Sequence, residues 1–154
     1  MMTLVEFECR GHRYALPLRH VCRVVPSARP IPLPGAPDIV LGILNMAGEF
    51  VTVIDFPQRI GLPPDDINTE QHLLIADIGG FLIGFIVDRV HGITDVQQRD
   101  AEGIPQQLAA APYVEAVHRT AEGLCIILDP ARFLFDEEMT LLGNALEKIG
   151  HEPA

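Results

Sequence analysis

Apolar and polar residues alternate in short runs along most of this chain, which is the period of strands and not of helices. From Thr3 to Cys9, Val5, Phe7 and Cys9 share one face and Glu6 and Glu8 the other; the corner Arg10-Gly11-His12 turns the strand back into Arg13 to Leu16 as an opening hairpin. Val21 to Val25 is a β-branched run stopped by Pro26, and Pro30, Pro32, Pro34 and Pro37 keep the next stretch extended or turning, on an edge or rim. Gly42 to Phe56 reads as a second hairpin with Ala47-Gly48-Glu49 at its tip, setting Val51, Val53 and Asp55 on the opposite side from Phe50, Thr52 and Ile54. Leu73 to Ile78, a Gly79-Gly80 turn and Phe81 to Val87 make a third, continuing through Val90 to Val96. Tyr113 to Arg119 and Leu124 to Leu128 flank Thr120 to Gly123 as a fourth, after an exposed loop from Ile104 to Pro112.

Strands this short and this regularly spaced predict a mainly β fold of small barrels. Helix is confined to the end. Asp129-Pro130 is an N-cap and first-turn pair, and Asp136, Glu137 and Glu138 put negative charge at the start of a helix over 136–150. Met139, Leu142, Leu146 and Ile149 form its apolar stripe, which should pack on a barrel, and Gly150 can end it.

Length and composition set limits on this picture. With 154 residues, 48% of them hydrophobic, the chain can bury one compact domain over 1–154, which excludes disorder. A formal charge of -10 and a single lysine, Lys148, argue against nucleic acid and anionic lipid surfaces, because both need a basic stripe. Residues 1–63 hold 6 Arg and 5 acids, whereas 64–154 hold 16 acids against 5 basic residues. That change of charge coincides with the polar, proline-bearing loop Gly61 to Glu70, which predicts a seam between lobes 13–70 and 71–135, with strand 3–9 joining the second lobe or a shared core. The second half is either a solvated acidic surface or the side that meets a basic partner. No apolar run approaches the ~18 residues of a membrane span. Glu6 and Glu8 fall where a signal peptide needs its apolar stretch, so a cytoplasmic chain without membrane insertion is expected. Three cysteines, Cys9, Cys22 and Cys125, fit reduced thiols better than a disulfide framework.

The chain offers little for catalysis. His12, His20 and Cys22 lie close along the first hairpin region, but no CxxC or HExxH pair fixes two ligands locally, so neither a metal nor a cofactor is expected. Cys9 and Cys125 sit in apolar strands as core residues. There is no GxSxG, P-loop or GxGxxG pattern, and Asp55, Asp77, Asp88 and Asp129 each stand at or near a strand end, where they cap turns. A binding module, not an enzyme, is the expectation; a small metal- or thiol-dependent enzyme is the rival of another class.

Five segments, in this order and spacing, resemble the CheW-like domain of bacterial chemotaxis coupling proteins: RYALPL (13–18) with the strand at Val21, PLPGAPDIVLGILNMAG (32–48), VTVIDF (51–56), IGFIVDRVHGI (83–93), and the closing LCIILDPARFL with DEEMTLL. The resemblance implies two SH3-like five-stranded β-barrels sharing a third hydrophobic core, with a C-terminal helix. It implies a non-catalytic adaptor that docks on the regulatory domain of the chemotaxis histidine kinase CheA and on the cytoplasmic tip of chemoreceptors, in arrays at the inner membrane. Carried over residue by residue, the receptor groove would be lined by Val21, Arg23, Val24, Asn45, Met46, Ala47, His72 and Val87, and the kinase contact by Ile39, Leu41 and Gly42. Two positions depart from the family pattern: Arg23 stands where a glutamate is usual, and Ala47 where an arginine follows the Asn-Leu pair. Those departures favour a specialised coupling protein of a parallel pathway, controlling pili or gene expression, as the alternative within the same class.

Overall fold

The computed structural model describes residues 1–63, 66–97, 100–102 and 111–151; most of the expected loop 104–112 and two residues of the loop 61–70 lie outside them. Among the described residues, eleven strands form two sheets. A six-stranded sheet has the order β8-β1-β2-β11-β10-β9, and a five-stranded sheet the order β3-β6-β7-β5-β4. The strands are β1 (Met2–Cys9), β2 (His12–Pro17), β3 (Val21–Pro26), β4 (Val40–Met46), β5 (Glu49–Ile54), β6 (His72–Asp77), β7 (Leu82–Val87), β8 (Arg89–Val96), β9 (Ala101–Glu102), β10 (Val114–Thr120) and β11 (Gly123–Leu128). All four expected hairpins pair antiparallel, in β1·β2, β4·β5, β6·β7 and β10·β11. Two of them close on two-residue turns that need positive φ at both positions: Arg10-Gly11 (54° and 79°) and Ala47-Gly48 (53° and 89°). The two-residue β9 makes the six-stranded sheet one strand wider than expected.

The sheets do not divide the chain at 61–70. The five-stranded sheet takes every strand from Val21 to Val87, and the six-stranded sheet takes β1 and β2 together with the strands from Arg89 onward. The expected lobes 13–70 and 71–135 are therefore replaced by a segment 21–87 nested between the two parts of the other sheet. Charge balance reports which surface meets water; the parallel pairs β2·β11 and β5·β7, far apart in sequence, decide which strands share a sheet. Strand β1 pairs with β8, beyond the loop.

Each SH3-like sheet has a small core of its own. Leu4, Ala15, Val96, Cys125 and Ile127 fill the six-stranded one, and Val51, Val53, Leu73, Ile75 and Ile86 the five-stranded one. The third core joins them. Phe7 and Tyr14 from one sheet, Phe85 from the other, Phe56 at the start of the short helix α1 (Phe56–Arg59) and Phe133 meet with ring centroids 5.2–5.8 Å apart. This explains a pattern that alternation alone does not: Thr52, Val53 and Ile54 are all buried because one face of β5 lines its own core and the other the shared core. Likewise the polar face of β1 is not simply a water-facing one. Glu6 is paired across the strands with Ala15, and its carboxylate bridges to Arg13 (3.0 Å), which also holds Glu122 (2.7 Å); Glu8 meets His91 at 3.2 Å.

Asp55, Asp77 and Asp129 cap their own turns as expected, whereas Asp88 reaches to groups 78 and 17 positions away in the chain. Asp55 Oδ1 accepts from Gln58 N (3.1 Å), Asp77 Oδ1 from Gly80 N (2.7 Å), Asp129 Oδ1 from Ala131 N (3.0 Å), and Asp88 from Arg10 N (2.7 Å) and Gln71 Nε2 (3.0 Å). The C-terminal helix α2 (Asp136–His151) packs on the shared core and not on a single barrel, through Leu142 and Ala145, with Leu146 and Ile149 half-buried. Met139 is exposed. At about 100° per residue Ala145 and Met139 fall on opposite margins of the stripe, and the buried side is shifted toward Ala145 and away from Met139.

Candidate functional site

The strand β3 carries three of the expected receptor-facing residues, and its register decides how they point. Val21 pairs with Ala76, Arg23 with Ile75, Val24 with Leu74 and Pro26 with His72, with a shift between Val21 and Arg23. That shift is a β-bulge at Cys22: one extra residue reverses the alternation, so Val21 and Val24, three apart, fall on the same face. Their partners Ala76 and Leu74 belong to the shared core. Arg23 is opposite Ile75, which belongs to the core of the five-stranded sheet, so the arginine lies exposed on the other face of β3 from Val24. β3 is an edge strand, leaving Cys22, Arg23 and Val24 open to solvent.

Asn45, Met46 and Ala47 end the opposite edge strand, β4. Asn45 Oδ1 accepts from Gly48 N at 3.0 Å and so fixes the turn, while Met46 packs into the core of the five-stranded sheet. Ala47 holds φ 53°, a left-handed conformation that any Cβ-bearing residue strains to adopt, so an arginine there would meet the same backbone demand as the alanine does.

His72 and Val87 are cross-strand partners. They sit at the far end of the sheet: His72 and the Ala76 that faces Val21 are four residues apart on β6, about 13 Å at the rise of a strand. Val87 is buried completely, and His72 is half-buried with its Nδ1 enclosed and unpartnered. The eight residues thus do not form one group: Val21, Arg23 and Val24 lie on one edge strand, Asn45, Met46 and Ala47 at the tip of the opposite edge strand, and His72 with Val87 on the strands between, level with the end of β3. Of the three expected kinase-contact residues, Ile39 is buried in the shared core and Gly42 offers no side chain. Gly42 is needed where it is: a Cβ there would collide with the carbonyl of Ile31, the residue bridged to Ile43. Leu41 is half-buried against the five-stranded core.

Among the described residues no group of three or more His, Cys, Asp or Glu is arranged to hold a metal ion. Cys9 and Cys125 are buried and Cys22 is exposed. Burial, with Glu6 nearby, pushes the Cys125 thiol up to about 12, so it is neither a thiolate nor a nucleophile at neutral pH. The polar groups that sequence alone did not single out are in a different place. Arg59, its side chain only 7% exposed, sends Nη2 to both oxygens of Glu138 (2.7 and 2.6 Å) and lies 4.0 Å over the ring of Phe135. Nothing in the sequence spacing links Arg59 to Glu138; the fold does.

Residues 3–138 match the CheW-like domain family. The chain belongs to that family. It is 28% identical to the chemotaxis protein CheW of Treponema pallidum, over 92% of this chain and 86% of that one, and 26% identical to CheW of Bacillus subtilis, over 88% and 87%. The crystal structure of the scaffolding protein TtCheW from Thermoanaerobacter tengcongensis superposes with a TM-score of 0.77 at 26% identity, covering 89% of this chain and 94% of that one. The CheW-like fold of two SH3-like subdomains around a shared core is therefore the fold of this chain. Among the described residues no helix is long and apolar enough to cross a membrane.

Proposed function

We propose that the chain is a non-catalytic adaptor of chemotaxis signalling, coupling chemoreceptors to a CheA-type histidine kinase within arrays at the inner membrane. The observation that carries this is the family match across 3–138 combined with a fold whose polar side chains serve turns, caps and ion pairs. The receptor-facing surface is the exposed part of β3, with Val24 on one face and Arg23 on the other; the β4 tip at Asn45 and Ala47, on the opposite edge of the sheet, is a second and separate contact. His72 and Val87 act from beneath, by shaping the sheet and not by contact. The kinase contact narrows to Leu41, since Ile39 and Gly42 have no side-chain surface to offer. The arginine at position 23 selects an acidic residue on the receptor tip, in place of the basic partner that a glutamate there would select.

Titration of the full chain against a cognate receptor fragment and, separately, against the kinase regulatory domain tests this. Arg23→Glu should weaken receptor binding by roughly ten- to a hundredfold, the worth of one charge-assisted contact, and leave kinase binding unchanged. An acidic-to-basic change on the receptor should restore it. Equal receptor affinity for wild type and variant would make Arg23 an ordinary solvated side chain.

A further inference from the structure

A cavity of about 700 Å³ opens between the C-terminal half of α2 and the hairpin ends of the five-stranded sheet. Phe50 and Phe81 line the sheet side, Leu146 and Ile149 the helix side, and Glu49 and Asp77 are its charged lining residues. None of these side chains belongs to the receptor or kinase contacts proposed above. Phe50 is 55% exposed, the most exposed aromatic side chain of the core-forming strands, and exposed aromatics beside an apolar cleft are typical anchors of protein interfaces.

We infer that this groove docks an amphipathic helix of another protein, one with Arg or Lys beside its apolar stripe. Two observations choose that occupant. The sheet wall is built mainly on β5 and β7, each hydrogen-bonded to a strand on both sides, and Ile43 of the edge strand β4 has its backbone N–H and C=O both paired with Ile31 (2.9 Å each), so none of these lining positions offers a free edge for an added strand. An occupant must therefore satisfy its own backbone, which a helix does. The charged groups are both carboxylates, and Asp77 is pinned by its hydrogen bond from Gly80 N, so the complementary charge is positive. A second copy of this chain is a poor occupant: its own helix α2 carries four acids against one lysine.

The test uses the full chain and a fluorescein-labelled 16-residue peptide with Leu at helical spacing and flanking Arg, followed by anisotropy. A scrambled peptide of the same composition has the same charge but no apolar face, and controls for attraction to an acidic protein. The amphipathic peptide should bind at least about tenfold tighter than the scrambled one, and Phe50→Ser should remove that advantage. Ile149→Gln gives the same result from the opposite wall, and Glu49→Gln lowers the salt dependence of binding. Amide shifts in ¹⁵N spectra should fall on residues 49–52, 77–82 and 146–149. Equal binding of both peptides, unchanged affinity in Phe50→Ser, or shifts elsewhere would overturn the inference. So would a concentration-dependent dimer that Phe50→Ser dissolves, because the groove would then belong to a second copy.

Discussion

Replacing Glu138 by alanine should destabilise the protein far more than an exposed ion pair would suggest. Glu138 is three residues beyond Phe135 and does two things at once: its Oε1 accepts from Phe135 N (2.8 Å), capping the start of α2, and both oxygens hold Arg59 Nη2. The guanidinium is nine-tenths enclosed, stacked on Phe135, while the carboxylate is 21% exposed. Breaking a fully buried pair costs about 3–5 kcal/mol because the orphaned charge stays desolvated. Here water can follow the lost carboxylate, which lowers that to about 2 kcal/mol, and the missing cap adds about 1 kcal/mol. A total of about 3 kcal/mol corresponds to a fall in Tm of about 6–12 °C for a domain of this size. Glu138→Gln keeps one acceptor oxygen, which can serve the cap and one bond from Arg59, and loses the charge and the second bond, so it should cost about half as much. The chain has no tryptophan, so urea unfolding is best followed by far-UV circular dichroism. If Glu138→Ala unfolds within about 0.5 kcal/mol of the wild type, Arg59 is as well solvated without its partner as with it, and the reasoning fails.

Gly42→Ala should lose about 3 kcal/mol in the same urea assay, since its Cβ meets a backbone carbonyl that is itself fixed by the Ile31 to Ile43 bridge; a stable variant would show that the 31–43 pairing can open at little cost. Native protein should react with a thiol reagent at Cys22 alone and at all three cysteines in urea; rapid labelling of Cys125 in the folded state would contradict its burial. The Cys125 thiol and the Tyr14 phenol are both pushed up to about 12, by burial first. Folded-state values above the unfolded ones mean that the folded state keeps protons the unfolded state releases. Stability is thus unaffected by these groups at pH 7 and falls as pH rises from about 9 toward 12, by up to about 1.4 kcal/mol per pH unit for each group. Cys125→Ala should flatten that decline between pH 9 and 10, and an unchanged slope would remove Cys125 as its source.

The sequence by itself determined the local structure. Alternation placed four hairpins, Gly79-Gly80 and Arg10-Gly11 supplied positive φ where tight turns need it, and aspartates at strand ends became caps, because each of these depends on residues within a few positions of one another. The five family segments made the family legible for the same reason, and the match across 3–138 agrees. What the tertiary structure alone decided involves long-range pairing. The β2·β11 and β5·β7 contacts override the charge boundary at 61–70 and set the segment 21–87 of one sheet between the two chain segments of the other, and no local pattern encodes that choice. Strands buried on both faces, such as β7, hide which core each face serves, so the alternation could not show that Val87 lies under the surface, and Ile39, just before β4, is enclosed only because the shared core closes over it. The single extra residue at Cys22 turns Val21 and Val24 to one side and Arg23 to the other, because a period of two converts a one-residue shift into a change of face. Arg59 and Glu138 are 79 positions apart, and only the packing of α2 on the shared core brings their charges together.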